Sequence, residues 1–324
     1  MKRESLERYQ VWVYVLAITV GLMLGNGAPG AARVLEHMLW PALALLMYAT
    51  FTQIPLAQLP AAFKDIRFVL ATLVGNFVIL PILVATVLLL VPDHTALRLG
   101  LVLVLLVPCT DWFITFTQQG GGDARRALAI TPLLLIAQMA LLPLYLWLFM
   151  GPEVTSMVST SHMAGVFAAF IVAPLAAALL TQRWCARHSA RAALLDRMAW
   201  LPLPLLALVL SLVAASQVHA VWSVLHAMST VLIACIAFLI GAVVCSVMLG
   251  KAFNLPVSQA RTLLFSMCTR NSFVVLPFAL ALPTSEQVAA QVIVLQSLIE
   301  LFGLLMLLWL VPRRLLPQAS TARD

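Results

Sequence analysis

The chain has 324 residues, of which 63% are apolar and only 10% are Asp, Glu, Lys or Arg. A soluble domain carries roughly 25% charged residues, so there are too few charges here to cover a water-facing surface. Disorder is excluded as well, because it requires low hydrophobicity. A mean hydropathy of +1.04, set against the roughly 20 apolar residues a transmembrane helix needs, indicates an all-α polytopic membrane protein with little chain left for any soluble domain.

Apolar runs separated by charged or Gly/Pro-rich breaks predict ten transmembrane helices near 9–25, 35–54, 66–91, 97–118, 128–150, 163–182, 199–217, 224–249, 258–282 and 287–311. Runs this continuous are not barrel strands, which alternate over about ten residues. The first run is short and leads into Gly25-Asn26-Gly27-Ala28-Pro29-Gly30, so a cleaved signal peptide is a rival reading. Glu4, Glu7, Trp12 and Tyr14 favour an anchored helix.

With ten spans and a cytoplasmic N-terminus, the inside segments hold Lys2, Arg3, Arg8, Lys64, Arg67, Arg125, Arg126, Arg183, Arg187, Arg191, Arg197, Lys251, Arg261, Arg313, Arg314 and Arg323. The outside segments hold Arg33 and Arg98. This asymmetry follows the positive-inside rule and places both termini in the cytoplasm. It also accounts for the net charge of +7 through topology and anionic lipid headgroups rather than nucleic acid. His37, His94, His162, His219 and His226 fall at predicted outer ends, and Trp and Tyr at helix ends read as interfacial belts.

The third and fifth runs carry Thr72, Asn76 and Gln138, which either line a cavity or hydrogen-bond between helices. The fourth run is interrupted by Val107-Pro108-Cys109-Thr110-Asp111-Trp112, and Gly120-Gly121-Gly122-Asp123 forms a turn after it. That turn lacks the Lys-Ser/Thr of a phosphate loop.

The longest non-cytoplasmic connection, near 151–162, divides the chain into two five-helix halves, 1–155 and 156–324. Five spans per half makes the halves face opposite ways, so any similarity between them is that of inverted repeats. The ninth run, fourth in its half, is interrupted by Met267-Cys268-Thr269-Arg270-Asn271-Ser272. Proline by itself only kinks a membrane helix. Two polar breaks at matching places point instead to a midplane binding site, because unwound backbone is tolerated in hydrocarbon only where it is buried or lines a cavity.

Three charges lie well inside predicted spans: Asp111 and Arg270 in the two breaks, and Glu300 in the tenth run. Each costs at least about 2.5 kcal/mol on insertion scales and marks a functional position. Asp111 and Arg270 could form an ion pair where the breaks cross, serving either fold or transport. Gln296 and Glu300 share a helix face. Glu300 is a candidate proton-coupling group, or a carboxylate neutralised by Arg270 or backbone donors.

Cys109, Cys185, Cys235, Cys245 and Cys268 do not form a disulfide framework in this topology, and no spacing suggests a metal centre or cofactor. Cys235 and Cys245 read as packing residues. Cys109, in its break beside Thr110, is either packing or a thiol for a soft ligand.

The Val-Pro-Cys-Thr-Asp-Trp at 107–112 resembles the Pro-Cys-Thr motif of arsenite-efflux permeases. Arg-Asn-Ser at 270–272 resembles the ninth-helix crossover of the wider bile acid/sodium symporter superfamily, and Ile-Glu-Leu at 299–301 resembles the Glu-bearing tenth helix of the arsenite permeases. The resemblance implies a core domain with two broken, crossing helices and a panel domain that moves against it, in a bacterial inner membrane. It implies that Cys109 and Glu300 supply the thiol and the carboxyl of arsenite export. Together with the residues of the two breaks they give a candidate substrate and ion site of Cys109, Thr110, Asp111, Arg270, Asn271, Ser272 and Glu300, with Asn76, Gln138, Cys268 and Gln296 as candidate cavity lining.

The implied activity is As(III) export coupled to protons through Glu300. The alternative is symport of an organic anion held by Arg270 and half-helix dipoles. The sequence departs from sodium-coupled relatives in carrying Asp111 and Arg270 where they have neutral groups, and Ser266 where they have an acid. A cation at 270 repels Na⁺. An intramembrane enzyme would need a nucleophile–base pair at membrane depth, and Cys109 beside Asp111, with no mid-span His, is a poor one. No added domain supports a sensor.

Overall fold

The computed structural model describes residues 3–27, 32–53, 65–110, 112–158, 165, 168–186, 195, 197–223, 225–282 and 288–317. Asp111, residues 159–162 of the outer connection predicted near 151–162, with His162, and the loop cations Lys2, Lys64, Arg187, Arg191 and Arg323 lie outside the described residues. The first part of that connection, 151–158, is helical rather than loop, after a kink at Gly151.

Twelve helices are present among the described residues: α1 (Arg3–Gly27), α2 (Ala32–Phe51), α3 (Ile66–Leu88), α4 (Thr95–Leu105), α5 (Trp112–Gln119), α6 (Ala124–Val158), α7 (Ala168–Ala186), α8 (Pro202–Ser223), α9 (Leu225–Ala252), α10 (Val257–Cys268), α11 (Ser272–Leu280) and α12 (Val288–Leu315). Every predicted apolar run overlaps helix among the described residues, and the fourth and ninth are each split in two, as α4/α5 and α10/α11. Five stretches, Ile66–Leu88, Ala124–Pro152, Ala168–Ala186, Ser229–Ala252 and Val288–Leu315, are long and apolar enough to cross a membrane. No strand is present among the described residues beyond one isolated antiparallel bridge between Pro108 and Arg270.

The chain forms two compact units, each assembled from three separated segments. Unit 1 comprises 1–53, 155–229 and 273–294. Within it α1 packs along α8, and α2 packs against both α8 and α7. In lipid the hydrophobic effect does not draw helices together, so close backbone approach has to supply the attraction, and small residues permit it. Gly21 and Gly25 form such a small-xxx-small stripe on α1. A Cβ at either would stand 2.2 Å from a carbonyl oxygen of α8, that of Ser211 or Ala215. Polar pairs tie α2 to α7: the Tyr48 and Thr181 hydroxyls share a 2.8 Å hydrogen bond, and Gln182 Nε2 donates to the carbonyls of Phe51 and Thr52.

Unit 2 comprises 54–154, 230–272 and 295–324 and contains both helix breaks. Within it α10 packs on α3 and on α5. The middle of α3 is a single π turn, Gly75–Ile79, followed by Pro81. The cause is local. Proline has no N–H to give the carbonyl four residues back, which leaves Phe77 O unpaired within its helix. Tyr145 Oη of α6 donates to it at 2.7 Å. Such π turns collect at functional positions, and this one contains Asn76.

A polar cluster closes the helix ends of unit 2. Asp65 caps α3 through Phe68 N and accepts from Arg126 Nε and Gln259 Nε2, each at 2.9 Å. Asp123 caps α6 through Arg126 N and pairs with the Arg126 side chain. Gly121 turns the chain out of α5 at φ 71°, a left-handed conformation suited to glycine, and its carbonyl accepts from Arg261. Burial pushes the Asp123 carboxyl up, but hydrogen bonds from Arg126 and its charge prevail and hold it below its ordinary value.

Candidate functional site

The two breaks meet in unit 2. Between α4 and α5 the chain is extended around Pro108, and between α10 and α11 around Arg270. Cys109 N donates to Thr269 O at 3.2 Å, and Asn271 N donates to Val107 O at 2.8 Å. Each unwound peptide therefore satisfies the other, which is how non-helical backbone persists at membrane depth. Pro108 suits the centre of the bridge because a residue with no N–H leaves no donor there to satisfy. The side chains of Thr110 and Asn271 add a 3.3 Å hydrogen bond across the pair.

Arg270 is 2% exposed. Its guanidinium lies on a shell of neutral oxygens. Nη2 donates to Ser266 O at 2.7 Å, Asn76 Oδ1 at 2.8 Å and Met267 O at 3.1 Å, and Nη1 donates to Leu105 O at 3.3 Å. Leu105 ends α4, and Ser266 and Met267 lie in the last turn of α10. The side chain thus meets carbonyls left over at the C-terminal ends of both broken helices, where the helix dipole favours a cation. The Phe238 ring of α9 lies 5.8 Å from the guanidinium carbon, within cation–π range. Asn76 is held for this task by its own amide, which donates to Thr72 O and to Ser266 Oγ at 3.0 Å each.

Glu300 bonds the backbone of the crossing. Its Oε2 accepts from Arg270 N at 2.9 Å and from Gln296 Nε2 at 2.7 Å, and Gln296 Oε1 accepts from Ser272 Oγ at 3.1 Å. A continuous polar path therefore runs from Ser272 through Gln296 and Glu300 to the backbone of the break. A cavity of about 10 Å³ adjoins it, lined by Cys235, Phe238, Leu239, Cys268, Gln296, Ile299 and Glu300. Such a volume is close to that of a single water.

The structure brings together Cys109, Thr110, Arg270, Asn271, Ser272, Gln296, Glu300, Cys268 and Asn76, while Asp111 lies outside the described residues. The expected ion pair between Asp111 and Arg270 lies there too, and the oxygens described around the guanidinium are carbonyl and amide. Asn76 serves Arg270 rather than that cavity. Gln138 is buried in α6, and neither of its amide atoms has a hydrogen-bond partner among the described residues. All five cysteines are described and no disulfide links them, and no cluster of three metal-ligating side chains occurs among the described residues.

Several contributors escaped the sequence reading. Cys235 reads as packing from the sequence, Phe238 and Leu239 carry no polar atom to mark a site, and the carbonyls of Leu105, Ser266 and Met267 have no residue-type signature. Pro81 was the one usable signal, since a helical proline strands a carbonyl that some neighbour must satisfy.

A search of curated proteins returned no match. The sequence pattern of the sodium bile acid symporter family matches residues 40–223, more than half of the chain. The match takes in the first break, while Arg270 and Glu300 lie beyond it. Members of this family are transporters that move small molecules across a lipid bilayer, and the apolar helices with their paired interruptions suit that work. The chain belongs to the sodium bile acid symporter family and is a membrane transporter.

Proposed function

We propose that the protein is a secondary transporter that exports arsenite, as neutral As(III) trihydroxide, in exchange for protons. In this reading unit 2, where the two breaks meet, carries the crossing of the core domain, although α11 beyond Ser272 is grouped with unit 1, and the panel is drawn from the rest of unit 1. The chain halves 1–155 and 156–324 are inverted five-helix repeats, and both termini are cytoplasmic in a bacterial inner membrane. Cys109, Thr110, Asp111, Arg270, Asn271, Ser272 and Glu300 form the substrate and ion site.

One observation carries the preference for a neutral cargo: the Arg270 guanidinium is already engaged by four oxygens, so most of the donors an organic anion would need are in use. The thiol of Cys109 in the crossing, and those of Cys235 and Cys268 on the adjoining cavity, supply soft ligands for As(III). Glu300, hydrogen-bonded to both the break and Gln296, is the proton carrier.

The test is As(III) uptake into everted membrane vesicles. Wild-type vesicles accumulate arsenite in response to a pH gradient. Cys109→Ser abolishes the uptake, and Glu300→Gln uncouples it from the gradient. Wild-type flux in Cys109→Ser would sink the thiol role.

The second reading, symport of an organic anion, draws on Arg270 Nε, a buried donor without a hydrogen-bond partner among the described residues. It predicts that Arg270→Gln abolishes binding of a carboxylate or sulfonate substrate, with no effect of arsenite.

A further inference from the structure

Carbonyls released by broken helices, together with half-helix C-terminal ends, are what transporters use to coordinate a coupling cation. Rings of neutral carbonyl oxygens likewise replace the hydration shell of alkali ions in channels. Unit 2 contains such a shell: Leu105 O from the end of α4, Ser266 O and Met267 O from the end of α10, and Asn76 Oδ1 from the π turn of α3. What fills it is the guanidinium of Arg270, with three of the four oxygens within 3.1 Å of one nitrogen. The Phe238 ring adds a cation-attracting face at 5.8 Å.

We propose that Arg270 is a tethered cation, occupying by covalent attachment the oxygen shell that would otherwise hold an alkali ion, so that the crossing is assembled and the transporter works without sodium. This rests on the crossing in unit 2 being the transport site.

The physical argument has two parts. Four neutral oxygens converging at membrane depth repel one another electrostatically unless a positive charge sits among them, so the crossing requires a cation of some kind. A guanidinium is always charged and presents its donors in a fixed planar fork, so it can bind both broken ends at once and cannot dissociate. A free sodium ion would need the same oxygens and would meet a positive charge already in place. The crossing is then held closed in every step of the cycle, and among the described residues the carboxyl hydrogen-bonded to it is that of Glu300, through the backbone N–H of Arg270.

The test is made on purified full-length protein in detergent, without any transported solute, so its outcome is independent of whether arsenite is the cargo. The unfolding temperature is followed while sodium chloride replaces choline chloride at constant ionic strength. The wild type is expected to show no dependence on sodium, and a saturable rise would overturn the proposal. Arg270→Ala empties the shell, so it is expected to unfold at a lower temperature than wild type and to regain several degrees as sodium saturates. Arg270→Gln carries the same titration where Arg270→Ala does not survive purification. A sodium-insensitive profile in the variant overturns the proposal, because it means that the oxygens do not form a cation shell once the guanidinium is gone.

Discussion

At the scale of single residues, polar groups placed in apolar surroundings often answer a stranded partner. Tyr145 answers the carbonyl that Pro81 strands in α3. Removing its hydroxyl leaves Phe77 O buried without that donor, a loss of about 1–3 kcal/mol. Tyr145→Phe is expected to lower the unfolding temperature while leaving the helix content by circular dichroism unchanged. Asp123 gives a pH signature. Its carboxyl is held below its ordinary value by Arg126 despite burial, so its contribution to stability is present above the unfolded-state value of about 4 and is lost as the pH falls through the lower folded-state value. The unfolding temperature is expected to fall on acidification below about pH 4, and Asp123→Asn to flatten that part of the profile. Asp111, Arg270 and Glu300 stood out from sequence alone because charge is so scarce in this chain. The carbonyl partners of Arg270 did not, since carbonyls belong to every residue.

At the scale of elements, small residues and breaks shape the helices. The α1–α8 contact depends on Gly21 and Gly25 presenting bare backbone to the carbonyls of Ser211 and Ala215. No rotamer relieves a Cβ placed against backbone, so a large side chain must push the helices apart, at a cost of about 1–3 kcal/mol. Gly25→Leu is expected to destabilise the protein by this amount in thermal unfolding, whereas Leu22→Ala, at an outward position of the same helix, is expected to have little effect. The breaks in the fourth and ninth runs were readable because proline and a cluster of polar residues interrupt otherwise continuous apolar sequence. The π turn in α3 has no comparable signal, because a proline such as Pro81 in a membrane helix ordinarily indicates only a bend.

At the scale of the whole molecule, the division into units does not follow the division of the chain. Each unit draws on three separated segments, and both breaks belong to unit 2 although one lies in each half of the sequence. The loop charges predict that both termini face the cytoplasm. A fluorescent protein that folds only in the cytoplasm, fused after Asp324, is expected to fluoresce, and a periplasmic reporter at the same place to stay inactive.

The sequence by itself determined the membrane class, the run of apolar helices and the position of each interruption, because those properties are set by local composition and by what lipid will accept. The family match over residues 40–223 agrees with that level of description. Only the tertiary structure decided which groups the breaks bring together: Pro108 against Arg270, Glu300 against the backbone of residue 270, and the Arg270 guanidinium among oxygens from three helices. Those pairings join residues up to 194 positions apart. They depend on main-chain atoms that look alike in every sequence, so no local pattern could announce them.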